Sequence, residues 1–147
     1  MGSREYSGSG AARDAQRSVL VQVKACATEL PPLRVVAADL AARADFDLDA
    51  VADLRLAVDE AASELVAVAA PDAVLTCVFS LGPAQMEVTS SVPAQPGATL
   101  RQDSFGWRVL TTLVDEVRVV DQPDAGPPVL GISLCKRRWG NTPAEDR

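Results

Sequence analysis

Histidine is absent from all 147 residues. That removes the commonest general base and the commonest metal ligand, so a zinc site is not expected. Any catalysis would have to use carboxylates, Lys, Ser/Thr or Cys. Cysteine is sparse and odd in number: Cys26, Cys77 and Cys135 stand apart, with no CxxC pair. The N-terminal stretch MGSREYSGSG has no apolar core of the kind a signal peptide needs. Together these features predict a cytoplasmic protein with reduced thiols rather than a disulfide or a metal site. No apolar run approaches the length of a membrane span. A surplus of basic charge is also missing, since the formal net charge is −6. That argues against direct nucleic-acid binding, which needs clustered Lys and Arg. An acidic surface suits a basic partner, although solubility alone accounts for the charge equally well.

What is present is globular: 48% hydrophobic and 23% charged residues, in a length that makes one domain. VLVQVKA (19–25) places Val19, Val21 and Val23 on one face, the period of a strand. ELPPLRVVAADLAARA (29–44) opens on prolines that a first helical turn tolerates, then runs helical with Leu33, Val36, Ala37 and Leu40 on one side. In DFDLD, Asp47 or Asp49 is the best N-cap for a second helix over 49–69. Its stripe is Val51, Leu54, Val58, Ala61, Ala62 and Leu65, and Pro71 marks its end. VLTCVFSL (74–81) and QMEVTSSV (85–92) flank a Gly-Pro turn and read as a hairpin. A proline- and glycine-containing loop leads to a third helix over 104–117, with Val109, Leu110, Leu113 and Val114 facing inward. Strands at 117–120 and 129–136 follow. The folded domain is set at 18–137, with flexible tails at 1–17 and 138–147, the second taking in the end of the basic KRRW run (136–139). The order β-α-α-β-β-α-β-β predicts one antiparallel or mixed sheet covered on one face by helices. The fold class is α/β (α+β), a two-layer sandwich.

Chemistry concentrates in LRLAVDEAASEL (54–65). At about 100° per residue, Asp53, Glu60 and Glu64 fall within roughly 40° of one another, across from the main stripe. Leu56, Ala57 and Ala67 share their arc. A carboxylate among apolar neighbours has a raised pKa and can act as a general base. From the helix alone, a solvated acidic strip is the plainer reading of the same three residues.

LRLAVDEAASEL and GWRVLTTLVDEVRV, in this order with a hairpin between them, resemble the bacterial anti-sigma factors of the GHKL (Bergerat) ATP-binding fold. The likeness is to the stress-response and sporulation serine-kinase group, and within it to the actinobacterial subgroup that holds a sigma-F-type factor. It spans about residues 18–137. It implies ATP and Mg²⁺ as cofactors, with Glu60 as base on the phosphoryl acceptor. The Mg²⁺-holding Asn position reads Glu64. The Gly-x-Gly position that cradles phosphates reads Ser104-Phe105-Gly106, so one glycine remains. Between Glu87 and Asp103 there is no carboxylate to read adenine. The lid is shortened to the loop joining Val92 to Ser104. The resemblance therefore implies a degenerate nucleotide site, in which Phe105 is expected as a buried hydrophobic plug.

The resemblance also implies partners. The family forms homodimers that clamp a sigma factor, and a STAS-type antagonist carrying a phosphorylatable serine releases it. Arg34 matches the position at which an Arg contacts both, where a guanidinium can pair with a carboxylate and sense a phosphate. A plain solvated cation is the other reading of Arg34. Three functions follow: sequestration of a sigma-F- or sigma-B-like factor, an active serine kinase acting on its antagonist, or a GHKL-like domain with some other protein or ligand. Trp107 is expected in the core or at a partner interface.

Overall fold

The computed structural model describes residues 17–122 and 126–138. In chain order these form β1 (Arg17–Lys24), a 3-10 turn (Ala27–Glu29), α1 (Pro31–Arg43), α2 (Leu48–Val68), β2 (Val74–Leu81), β3 (Gln85–Pro93), α3 (Phe105–Leu113), β4 (Glu116–Gln122) and β5 (Val129–Arg137). The five strands make one sheet in the order β1-β2-β3-β5-β4. Every pairing is antiparallel, which decides between the two sheet types the sequence allowed.

Period-two alternation sorts the strand residues onto two faces. Leu75, Cys77, Phe79 and Leu81 of β2, Met86, Val88 and Val92 of β3, and Leu130, Ile132 and Leu134 of β5 are buried beneath the helices. One line across the opposite face runs Leu20, Val78, Thr89, Ser133 and Arg118, and it is largely polar. Ser90 is the one polar residue on the inner face of β3; its hydroxyl lies 3.1 Å from the thiol of its cross-strand partner Cys77. Each of these two polar groups thus satisfies the other inside the core.

α2 lies on β2, β3 and β5, and α1 and α3 both pack against it. Its stripe of Leu54, Ala57, Val58, Ala61, Ala62 and Leu65 is wholly buried, and three alanines in it let the neighbouring helices come close. α1 contributes Leu33, Ala37, Leu40 and Ala41 to the same core. α1 ends in a Schellman motif. The Phe46 N–H donates to Ala41 O and the Asp45 N–H to Ala42 O, both at 3.1 Å, while Asp45 takes a left-handed φ of 67°. Phe46 then turns into the core. Asp47 is the N-cap of α2, its carboxylate accepting from Ala50 N at 2.8 Å.

Several expectations need correction. α3 stops at Leu113 instead of 117, because Val114 is extended and Asp115 joins the sheet. The Asp115 N–H donates to Cys135 O (2.9 Å), and its carboxylate accepts from Arg137 N (2.7 Å). Leu110 and Val114 are buried, but Val109 and Leu113 are only half-buried. Phe105 is no plug: it is 80% exposed on the first turn of α3. Of the expected C-terminal tail, Arg138 is held against the domain. Lys136 and Arg137 belong to β5, and Arg138 donates from its backbone to Ala84 O (2.8 Å) and from Nη1 to Ala44 O (3.1 Å). Trp139 and most of both expected tails lie outside the described residues. All three cysteines are free thiols; Cys77 and Cys135 are buried and Cys26 is half-exposed.

Candidate functional site

The acidic arc of α2 divides between the two ends of α3. At the far end, Lys136 Nζ donates to Leu113 O (2.8 Å), the last carbonyl of α3, and pairs with Asp53 Oδ2 at 3.3 Å. At the near end, Glu60 and Glu64 lie against Gly106, the second residue of α3. The two helices therefore run antiparallel. α3 has carboxylates at its positive N-terminus and an ammonium at its negative C-terminus, the charge arrangement that a helix dipole favours.

Gly106 is what allows this contact. A Cβ added there would collide with Oε2 of both Glu60 and Glu64, so both carboxylates sit in the space a side chain would fill. Burial pushes the Glu60 carboxyl above its ordinary range, helped by a hydrogen bond to Glu64 and by the charges of Glu64 and Asp59. Of the two readings of this helix, the solvated strip fails for Glu60, which is half-buried. Leu56, by contrast, is 51% exposed, so α2 is not apolar on two sides.

Ser104 is the N-cap of α3. Its hydroxyl accepts from Trp107 N at 3.1 Å and donates to Arg101 O at 3.4 Å. Trp107 is buried, in the core as one of its two expected places. Among the described residues, no group of three or more His, Cys, Asp or Glu side chains is arranged to hold a metal. A cation at Glu60 and Glu64 would depend on those two carboxylates and on oxygens brought by a ligand.

Arg34 lies elsewhere, on the surface between α1 and α2. Its Nη1 donates to Asp59 Oδ1 at 2.9 Å, and the two side chains remain 38% and 31% exposed. They border a hollow of about 600 Å³ that Val35, Ala38, Arg55 and Leu56 also line. Val35 is 67% exposed, so apolar and basic groups share this surface. The structure thus brings Glu60, Glu64, Ser104 and Gly106 to one place and sets Arg34 on a different face of α2. Two partners were missed from the sequence: Asp59 for Arg34 and Lys136 for Asp53. They lie 25 and 83 positions away, where no local pattern points.

An antiparallel sheet under a layer of helices, with paired carboxylates facing a helix N-terminus and an arginine-bearing groove alongside, defines an α+β two-layer domain. No protein-family model matches the chain. It is 38% identical over 125 residues to the anti-sigma-F factor RsbW of Mycobacterium tuberculosis strains CDC 1551 and H37Rv, covering 83% of this chain and 74% of each relative. The chain belongs to the anti-sigma-F factor family. No helix among the described residues is long and apolar enough to cross a membrane.

Proposed function

We propose that this protein is an anti-sigma factor that binds an alternative, sigma-F-like factor and withholds it from RNA polymerase. The observation that carries the reading is the 38% identity to an anti-sigma-F factor along most of both chains. The groove beside Arg34 supplies a surface for it. Val35 and Leu56 offer apolar contact, while Arg34 and Arg55 offer donors to a partner carboxylate. Asp59 holds the Arg34 guanidinium in place, which lowers the entropy lost when a partner binds. An acidic chain is also suited to the basic, DNA-reading surfaces of a sigma factor. Release by an antagonist, a homodimeric clamp and a cytoplasmic location complete the reading.

A rival reading, a serine kinase using Glu60 as base, draws on the raised Glu60 carboxyl. It predicts transfer of labelled phosphate from ATP to a cognate antagonist. The test of the main reading is a calorimetric titration with a sigma-F-type factor. Tight binding is expected, weakened by about 2 kcal/mol or more in Arg34→Ala. No binding would overturn the anti-sigma reading. Unchanged affinity in Arg34→Ala would remove Arg34 from the contact.

A further inference from the structure

The family resemblance implies a nucleotide whose phosphates face the start of α3, and the residues present do not fit one. That ground is already taken. Glu60 and Glu64 leave α2 one turn apart, and both carboxylates rest in the space beside Gly106 where a side chain would otherwise stand. An incoming polyphosphate would meet two anions at contact range, in a seam where half-burial weakens screening by water.

Two cations near the ends of α3 are already paired, Arg101 with Asp103 and Lys136 with Asp53. The Ser104 hydroxyl is used in capping α3 and in bonding Arg101 O. Asp103, the first carboxylate after the hairpin, is exposed and paired with Arg101 at 3.1 and 3.3 Å.

We propose that the N-terminal turn of α3 is closed from within by Glu60 and Glu64, so that this chain takes no nucleotide there and holds its protein partner without one. Two acidic residues on α2 occupy the position a phosphate would need, and glycine at 106 gives them the room. The inference goes beyond the anti-sigma reading, which is tested by sigma-factor binding alone; either can fail without the other.

The experiment is a calorimetric titration of the full chain with Mg-ATP and, separately, Mg-ADP, repeated as a thermal-shift assay. No saturable heat and no shift in Tm at millimolar nucleotide are expected. Binding in the micromolar range would overturn the proposal. The double variant Glu60→Gln/Glu64→Asn, shown to be folded by its own melting curve, removes both charges from the seam. A Tm rise of several degrees with millimolar Mg-ADP is expected of it. A folded double variant that shows no such rise would overturn the assignment of the closure to these carboxylates. Should it not fold, the near-isosteric Glu64→Gln serves in its place, with a smaller rise expected and its absence again counting against the proposal. Sigma-factor affinity measured with and without Mg-ATP is expected to agree within about twofold, and a tenfold change would also overturn the proposal.

Discussion

At the scale of the residue, Glu60 shows how a carboxylate can be useful to its neighbours and costly to itself. Its proton is held more tightly in the folded chain than in the unfolded one, because burial and Glu64 disfavour the second charge. A raised carboxyl gives stability that is present below about pH 4.5, the ordinary carboxylate value, and is lost as pH rises through the folded-state value. Glu60→Gln should therefore stabilise the protein near pH 7 by roughly 0.5 kcal/mol, the size of a like-charge pair one turn apart. The gain should fade as pH falls below about 4.5, and urea unfolding of both chains across this range would check it. Gly106→Ala tests the same contact from the other helix. The colliding atoms are the tips of flexible side chains, so they can swing aside at some cost. The substitution should be more damaging in the native chain than in Glu60→Ala/Glu64→Ala, with a coupling of about 1 kcal/mol in a double-mutant cycle. Glu60 and Arg34 could be picked out from the sequence because their residue types match a known pattern. The resemblance also set Gly106 in the same site as Glu60, but the Asp59 partner of Arg34 was not legible, because it reaches Arg34 only once the helices have packed.

At the scale of the element, the cap of α2 is one of the two the sequence suggested, the cap of α3 was not foreseen, and the far end of α3 shows where the helical pattern misleads. Asp47 caps α2 and Ser104 caps α3, each through a side-chain oxygen accepting from the third residue on. Ser104→Ala should cost about 1 kcal/mol in thermal or urea unfolding. Asp45 is different, since it holds a left-handed backbone that favours glycine. Asp45→Gly should raise stability by about 0.5 kcal/mol, because the Schellman hydrogen bonds are backbone bonds and survive the change. The hairpin of β2 and β3 was legible because period two and a Gly-Pro turn agree. α2 was legible because its apolar residues keep helical spacing, although Val51 is only half-buried and Ala57, expected on the acidic arc, is buried with the stripe. The end of α3 was not, since LVDEV continues the helical pattern through 113–117. Pairing decides it instead: Glu116 lies opposite Cys135, and Asp115 is bonded to β5 from both backbone and side chain. Phe105 was misread for a related reason. Hydrophobicity at a helix start suggests burial, but Trp107 and Leu110 already occupy the inward face of this short helix.

At the scale of the whole molecule, the sheet, its helical cover and the composition were legible together, because alternation and stripe patterns leave few ways to bury one core. Strand order was not, since β5 enters between β3 and β4 and nothing local marks that choice. The net charge of −6 acts at this scale. Association with a basic partner should slow as salt rises, by roughly tenfold in on-rate between about 0.05 and 0.5 M, as stopped-flow mixing would measure. A salt-independent on-rate would mean that the charge serves solubility alone. The carboxylates at the start of α3 have a consequence in the cell as well. With that turn closed as proposed, the chain would have no means there of sensing the adenylate pool, and starvation or plenty would leave its grip unchanged. How much sigma factor stays free would then follow from copy numbers, the count of clamp against target and releaser, so that gene expression rather than energy charge sets the switch.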